Sequence, residues 1–208
     1  MSDSEFKIPL KEVVFSLTCP GLETNDKMAD DFDKLLEKID SIKMLSHTVE
    51  DEESIEADAT IVMLKNGLRI HQFTKYSWKQ FKIGVVDIVK AFQTATKVEE
   101  GAPSLRYVNV IKYENDNRNI ADYVNVYPCV NEGVKDISLE RSRVLVEKPV
   151  DSPKGKSRID VSLDEEGIVF EVGFVSSRML ISKLEMWYDD AHNQAKDLFV
   201  KGVINSGN

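Results

Sequence analysis

The stretch Ser104-Leu105-Arg106-Tyr107-Val108-Asn109-Val110-Ile111-Lys112-Tyr113 reads as a β-strand. β-Branched and aromatic residues dominate it, and Gly101 and Pro103 stand just before it. A period of two puts Leu105, Tyr107, Asn109, Ile111 and Tyr113 on one face and Arg106, Val108, Val110 and Lys112 on the other. Both faces carry apolar side chains, which predicts an interior strand. Each face also carries a polar side chain near mid-strand, Arg106 on one and Asn109 on the other. Covered polar groups need partners. The bland reading makes Arg106 and Asn109 structural locks, the first on a carboxylate and the second on neighbouring backbone. The sharper reading leaves Arg106 waiting for an anionic ligand.

Upstream, Pro9 to Leu17 reads as a first strand with Val13, Phe15 and Leu17 on one face, stopped by Pro20-Gly21. Thr24 or Asn25 can cap a helix over about residues 26–41, with Met28, Phe32, Leu35, Leu36 and Ile39 as its apolar stripe. The acidic run Glu50-Asp51-Glu52-Glu53 reads as a loop or exposed strand end. Ala59–Leu64 and Leu68–Phe73 form two strands around Lys65-Asn66-Gly67. Asn-Gly between apolar runs predicts a hairpin closed by a type I′ turn. A second helix then starts at Ser77, with Gln80 completing a capping box, and Trp78, Phe81, Val85, Ile88, Val89 and Phe92 form its stripe.

Downstream, residues 114–136 are polar and irregular, with a short helical turn around Ile120 to Val126. Ile137 to Val146 reads as a strand closed by Pro149, and residues 152–157 as a mobile loop. Ile159, Val161 and Leu163 alternate with polar residues as a half-buried strand. Glu165-Glu166-Gly167 is its hairpin loop, and Ile168 to Val175 the returning strand. Ser182, with Glu185, caps a last helix carrying Leu184, Trp187, Tyr188, Ala191, Ala195, Leu198 and Phe199 inward. Direct reading shows no internal repeat and no interdomain linker. The sum is an α+β fold: antiparallel hairpins packed against three main helices, in a single domain over residues 1–208. Both tryptophans are expected inside.

The first 60 residues hold 16 acidic against 6 basic side chains, and the remainder holds 20 against 21. An acidic end disfavours non-specific binding to nucleic acid or an anionic membrane. Cys19 and Cys129 form no metal-binding or redox motif, and the start of the chain lacks the form of a signal peptide. No apolar run approaches the length of a membrane span. A cytoplasmic location follows as the expectation.

Phosphate loops, zinc spacings and nucleophile elbows are missing from the sequence. His47, His71 and His192 are far apart and read as surface or structural histidines. No catalytic residue, metal ligand or cofactor is assigned. The candidate binding residues are Arg106, Asn109 and His71, together with Arg141, Arg143, Lys154 and Lys156. Arg141, Arg143, Lys154 and Lys156 belong, with Lys148 and Arg158, to the one local positive cluster. That cluster could meet phosphates or the acidic region of another copy; its bland reading is a solvated strand edge guarded by charge.

Four segments in order resemble an uncharacterised, sporadically distributed family of bacterial proteins of about this size. They are Pro9-Leu10-Lys11-Glu12-Val13, then Tyr76-Ser77-Trp78-Lys79-Gln80-Phe81, then Leu105-Arg106-Tyr107-Val108-Asn109, and a closing helix with His192 and Phe199. Residues 130–165 match least. The resemblance implies a shared fold and brings no activity. Its sporadic distribution suits an accessory protein of a mobile or defence-associated module. The expected function is a non-catalytic binding or accessory protein with a protein partner or a second copy as its companion. The alternative is an enzyme or binder acting on a nucleotide or nucleic acid through Arg106, Asn109 and His71.

Overall fold

A computed structural model describes residues 10–40, 59–73, 77–112, 144–151, 154–165 and 167–202. In chain order the elements are β1 (Leu10–Thr18), α1 (Asp26–Leu36), β2 (Ala59–Leu64), β3 (Gly67–Gln72), α2 (Trp78–Thr96), β4 (Glu100–Lys112), β5 (Val144–Asp151), β6 (Lys154–Leu163), β7 (Gly167–Ser176), β8 (Met179–Leu180) and α3 (Leu184–Gly202). The eight strands form an antiparallel sheet in the order β2-β3-β1-β4-β7-β6-β5, with β8 paired to β4. The class is α+β, as expected, and β4 is interior.

The chain divides into two compact units. The first holds Glu12–Ser104 and Ser176–Tyr188; the second holds Met1–Lys11, Leu105–Val175 and Asp189–Asn208. The chain passes from one to the other inside β1, β4, β7 and α3, without a linker.

In the first unit, α1 begins at Asn25, whose side chain accepts a hydrogen bond from the Met28 backbone N–H at 3.0 Å. The helix stops at Leu36, short of residue 41, although Ile39 continues the apolar spacing. Phe32 packs edge-on against Phe92 of α2, and α2 packs on β3. Ser77 stands at the start of α2 in extended backbone but makes no side-chain cap. The capping box expected there is therefore absent. At the other end Lys97 takes φ 60° and donates its N–H to the Gln93 carbonyl. Phe15 of β1 and Trp78 of α2 both pack against Tyr188 of α3, at ring distances of 5.2 and 5.4 Å. Trp187 is buried at 3% exposure, whereas Trp78 is only half-buried. Ser182 does not cap α3: it lies in a 3-10 turn over Ile181–Lys183, which is tied down by the Ile181 N–H donating to the Glu99 carbonyl.

The β2–β3 hairpin forms, but its turn differs from the expected one. Leu64 pairs with Gly67, so Lys65 and Asn66 occupy the turn. Neither has positive φ; among the described residues Lys97 is the one non-glycine that does. A type I′ turn is thereby ruled out. The glycine is required for another reason. It faces Thr18 on β1, and a Cβ there would lie 2.1 Å from the Leu17 carbonyl oxygen.

The second unit repeats that device. Asp164 and Gly167 exchange backbone hydrogen bonds of 2.8 and 3.4 Å, so Gly167 opens β7 and does not belong to the loop. A Cβ on Gly167 would lie 2.3 Å from the Ile111 carbonyl oxygen of β4. Phe170 packs on Phe199, and Tyr107 on His192, which places α3 over that side of β4 and β7. Two further expectations are corrected. Pro149 does not close β5 but sits within it, opposite Lys156; β5 is the last strand in the order, and an edge tolerates a residue without an N–H. Lys154 to Ser157, expected in a loop, are the first residues of β6 and pair with Asp151 to Lys148. The readings over 41–58, 113–136 and 137–143 lie outside the described residues.

β3 returns to pair with β1, and β7 lies beside β4.

Candidate functional site

On β4, Arg106 Nη1 donates to Glu171 Oε2 of β7 at 2.8 Å. Both side chains are mostly covered, so each charge needs the other. Asn109 is buried on the α3 side and donates its amide to the Phe170 carbonyl at 3.4 Å. Alternation sends Arg106 to the side away from α3, so the two do not line one site. Both side chains are occupied as locks.

Among the basic cluster, Lys156 Nζ donates to Glu147 Oε2 at 3.0 Å, and Arg158 Nη2 to Asp160 Oδ2 at 2.8 Å. Asp160 is only 3% exposed, which makes this pair structural. Lys154 stands opposite Asp151 in register. Lys154, Lys156 and Arg158 are therefore offset by Asp151 and Glu147 of β5 and by Asp160, and among the described residues the positive charge of this cluster is largely balanced. Arg141 and Arg143 lie outside the described residues.

β3 is arranged differently. Leu68 and Ile70 are fully buried, and Gln72 nearly so, on the side that faces the core. Arg69 and His71 alternate onto the other, open side. His71 Nδ1 is hydrogen-bonded to Glu12 of β1, which fixes the ring. Phe73, just past the strand, stacks on that ring at 5.9 Å with an interplanar angle of 18° and is itself 41% exposed. Arg69 is exposed. Of the three, sequence reading singled out His71 alone. The alternation Arg69-x-His71-x-Phe73 was the available signal, but a strand's open face shows itself only when the register is known.

Tyr107 and His192 form a pair that sequence reading also missed. The phenol oxygen and Nδ1 are 2.5 Å apart. Burial pushes the imidazole down to about 4; Lys196 adds to this and Asp189 opposes it. The neutral ring accepts from the phenol when its proton sits on Nε2. Tyr107 is buried, and the bond ties α3 to β4. Cys19 is buried, with its thiol pushed up to about 11 by burial, an inert setting.

The two outermost strands also contrast. β5 exposes Leu145 (49%) but surrounds it with Glu147, Lys148 and Pro149, all exposed. β2, Ala59-Thr60-Ile61-Val62-Met63-Leu64, has neither a charge nor a proline, and Val62 is 38% exposed. Among the described strands β2 has a neighbour on one side only.

Among the described residues no group of three or more His, Cys, Asp or Glu is placed to hold a metal ion, and no described helix is long and apolar enough to cross a membrane. No family model, curated protein or solved structure matches the chain.

Proposed function

We propose that the chain is a non-catalytic binding protein whose protein partner lays an extended strand along the outer edge of β2. The contrast between the two edges carries this reading. Edges are normally guarded by charge, proline or cover, because an open ladder of N–H and C=O groups recruits other strands. β5 carries such guards at Glu147, Lys148 and Pro149, and β2 carries none. Hydrogen bonding alternates along an antiparallel ladder. Counted from the Leu64–Gly67 pair that closes the hairpin, the backbone groups of Ile61 and Met63 are the ones directed outward. Strand addition uses such groups for affinity and alternate side chains for selectivity. With no charge on β2, the partner strand that suits it is apolar and uncharged.

The alternative, in which Arg106, Asn109 and His71 act on a nucleotide or nucleic acid, would draw on side chains that already have partners within the chain. Arg106 and His71 each hold a carboxylate, and Asn109 holds a carbonyl on the opposite side of β4 from Arg106.

The test is affinity capture with variants of the two edges. Val62→Lys places a charge on the β2 edge and abolishes capture of a partner that the unmodified protein retains. Leu145→Lys on β5 leaves capture intact. In the complex, exchange of the Ile61 and Met63 amides slows. A partner held equally by both variants contradicts the reading, as does one that is a second copy joined elsewhere.

A further inference from the structure

The open side of β3 is a second surface, which adjoins β2 at Thr60 and Val62 and uses side chains where the β2 edge uses backbone. Four arginines lie among the described residues. Arg106, Arg158 and Arg178 each hold a carboxylate, at 2.8, 2.8 and 2.7 Å. Arg69 is exposed and makes no ion pair among the described residues. Its neighbours in register are Ser16 on β1 and Val62 on β2, neither of them charged. Glu12, an acid on this side of the sheet, is already committed to His71. Arg69 is thus a guanidinium that the fold leaves available.

One residue pair further along, the same side presents a flat apolar surface. Phe73 remains 41% exposed although its ring stacks on His71. Glu12 holds the imidazole in place, so the stack is preorganised. Alternate residues on a strand are about 7 Å apart. On one side of the strand His71 therefore stands about 7 Å from Arg69, and Phe73 about 14 Å from it, a span that a base and its phosphate can bridge with the reach of the arginine. The hydroxyl of Thr60 lies opposite His71 on the neighbouring strand. A ligand that satisfies both carries a planar ring and an anionic group on one short frame. Stacking on an aromatic side chain with phosphate held by arginine is the mode by which open sheets take single-stranded nucleic acid.

We propose that the open side of β3 binds a nucleotide unit, its base against Phe73 and His71 and its phosphate on Arg69. The same unit can come as a free mononucleotide or as part of a single strand, and the chemistry of recognition is shared. The chain's acidic balance confines binding to this local site and sets a weak affinity for long nucleic acid.

The experiment is a nuclear magnetic resonance titration of the full chain with adenosine 5′-monophosphate and, separately, with a short oligodeoxythymidine. Saturable shifts centred on Thr60, Arg69, His71 and Phe73 are expected with at least one probe. Equal affinities identify the free nucleotide as the source, and a tighter, salt-sensitive oligonucleotide identifies the strand. Phe73→Ala weakens binding about fivefold or more, the low end of a lost base stack. Arg69→Ala weakens it comparably, and Arg69→Lys restores part of the loss because charge without the planar fork remains. Both positions are exposed, so the three variants fold, and the unchanged remainder of each spectrum reports that directly. Failure of both probes to saturate at millimolar concentration overturns the proposal, and so does binding that is indifferent to Phe73 and Arg69. Neither result bears on strand addition at the β2 edge, which the exchange of the Ile61 and Met63 amides reports, whereas Val62→Lys also alters the surroundings of Arg69.

Discussion

Arg106 of β4 and Arg158 of β6 each hold a carboxylate at 2.8 Å, whereas on the open side of β3 Arg69 stands exposed without one among the described residues. The difference lies in burial. Glu171 is mostly covered and Asp160 almost wholly so. A covered charge without a partner is costly, and the fold cannot form unless each pair forms with it. Arg69 is under no such constraint, because water solvates it as well in the unfolded chain as in the folded one. Residues of the same type therefore have two roles: the covered arginines are fixed by stability, and Arg69, exposed and without a carboxylate among the described residues (unlike the exposed Arg178), is open to selection for binding. The same division separates the strand edges, since β5 is guarded and β2 is not.

Breaking the core sets the scale for everything smaller. Trp187→Ala is expected to cost about 3–5 kcal/mol, the range for truncating a large buried aromatic. The motive is its 3% exposure beside Tyr188, with ring planes at 88°. A loss below about 1 kcal/mol in chemical denaturation would mean that the pocket around Trp187 is not packed.

Next in size is the Tyr107–His192 bond. The folded-state His192 is pushed down to about 4, below the usual histidine value of 6.5, so the unfolded chain takes up the proton first as the solution is acidified. The stability it supports is complete above pH 6.5 and is lost as the pH falls from 6.5 toward 4. Discounted for partial exposure of the ring, the loss is on the order of 1–2 kcal/mol. His192→Gln removes this part of the acid dependence. A stability curve for the variant parallel to that of the parent between those pH values would show that His192 titrates normally.

Smallest is the effect on folding of the open side of β3. Phe73→Ala changes stability by no more than about 0.5 kcal/mol, since the ring is already exposed and lies past the end of the strand. A larger loss in denaturation would make Phe73 a packing residue and weaken the contrast between the two sides.

Much of the fold was legible because it rests on periodicity. The stripe Phe81, Val85, Ile88, Val89 and Phe92 is buried as its spacing required, and the alternation in β4 placed Arg106 and Asn109 on opposite sides with the partners expected of locks. The errors arose where long-range contact decides a local feature. Gly67 and Gly167 looked like turn residues, but each is glycine because a neighbouring strand's carbonyl lies within 2.3 Å of where a Cβ would sit. Pro149 looked like a strand end and is an edge-strand residue, which only the strand order reveals. The candidate site was half visible: His71 was noticed, while Arg69 and Phe73 gained meaning only from what their neighbours left unpaired.

The most direct test is a side-by-side denaturation of Arg106→Leu and Arg69→Leu. Arg106→Leu leaves Glu171 mostly covered and unpaired, and a loss of about 1–2 kcal/mol is expected. Arg69→Leu removes a solvated charge with no partner, and stability stays within about 0.5 kcal/mol of the parent. That order, with a clear gap, supports the division between arginines that build the fold and the one left open for binding. Equal losses, or a larger loss at Arg69, would contradict it.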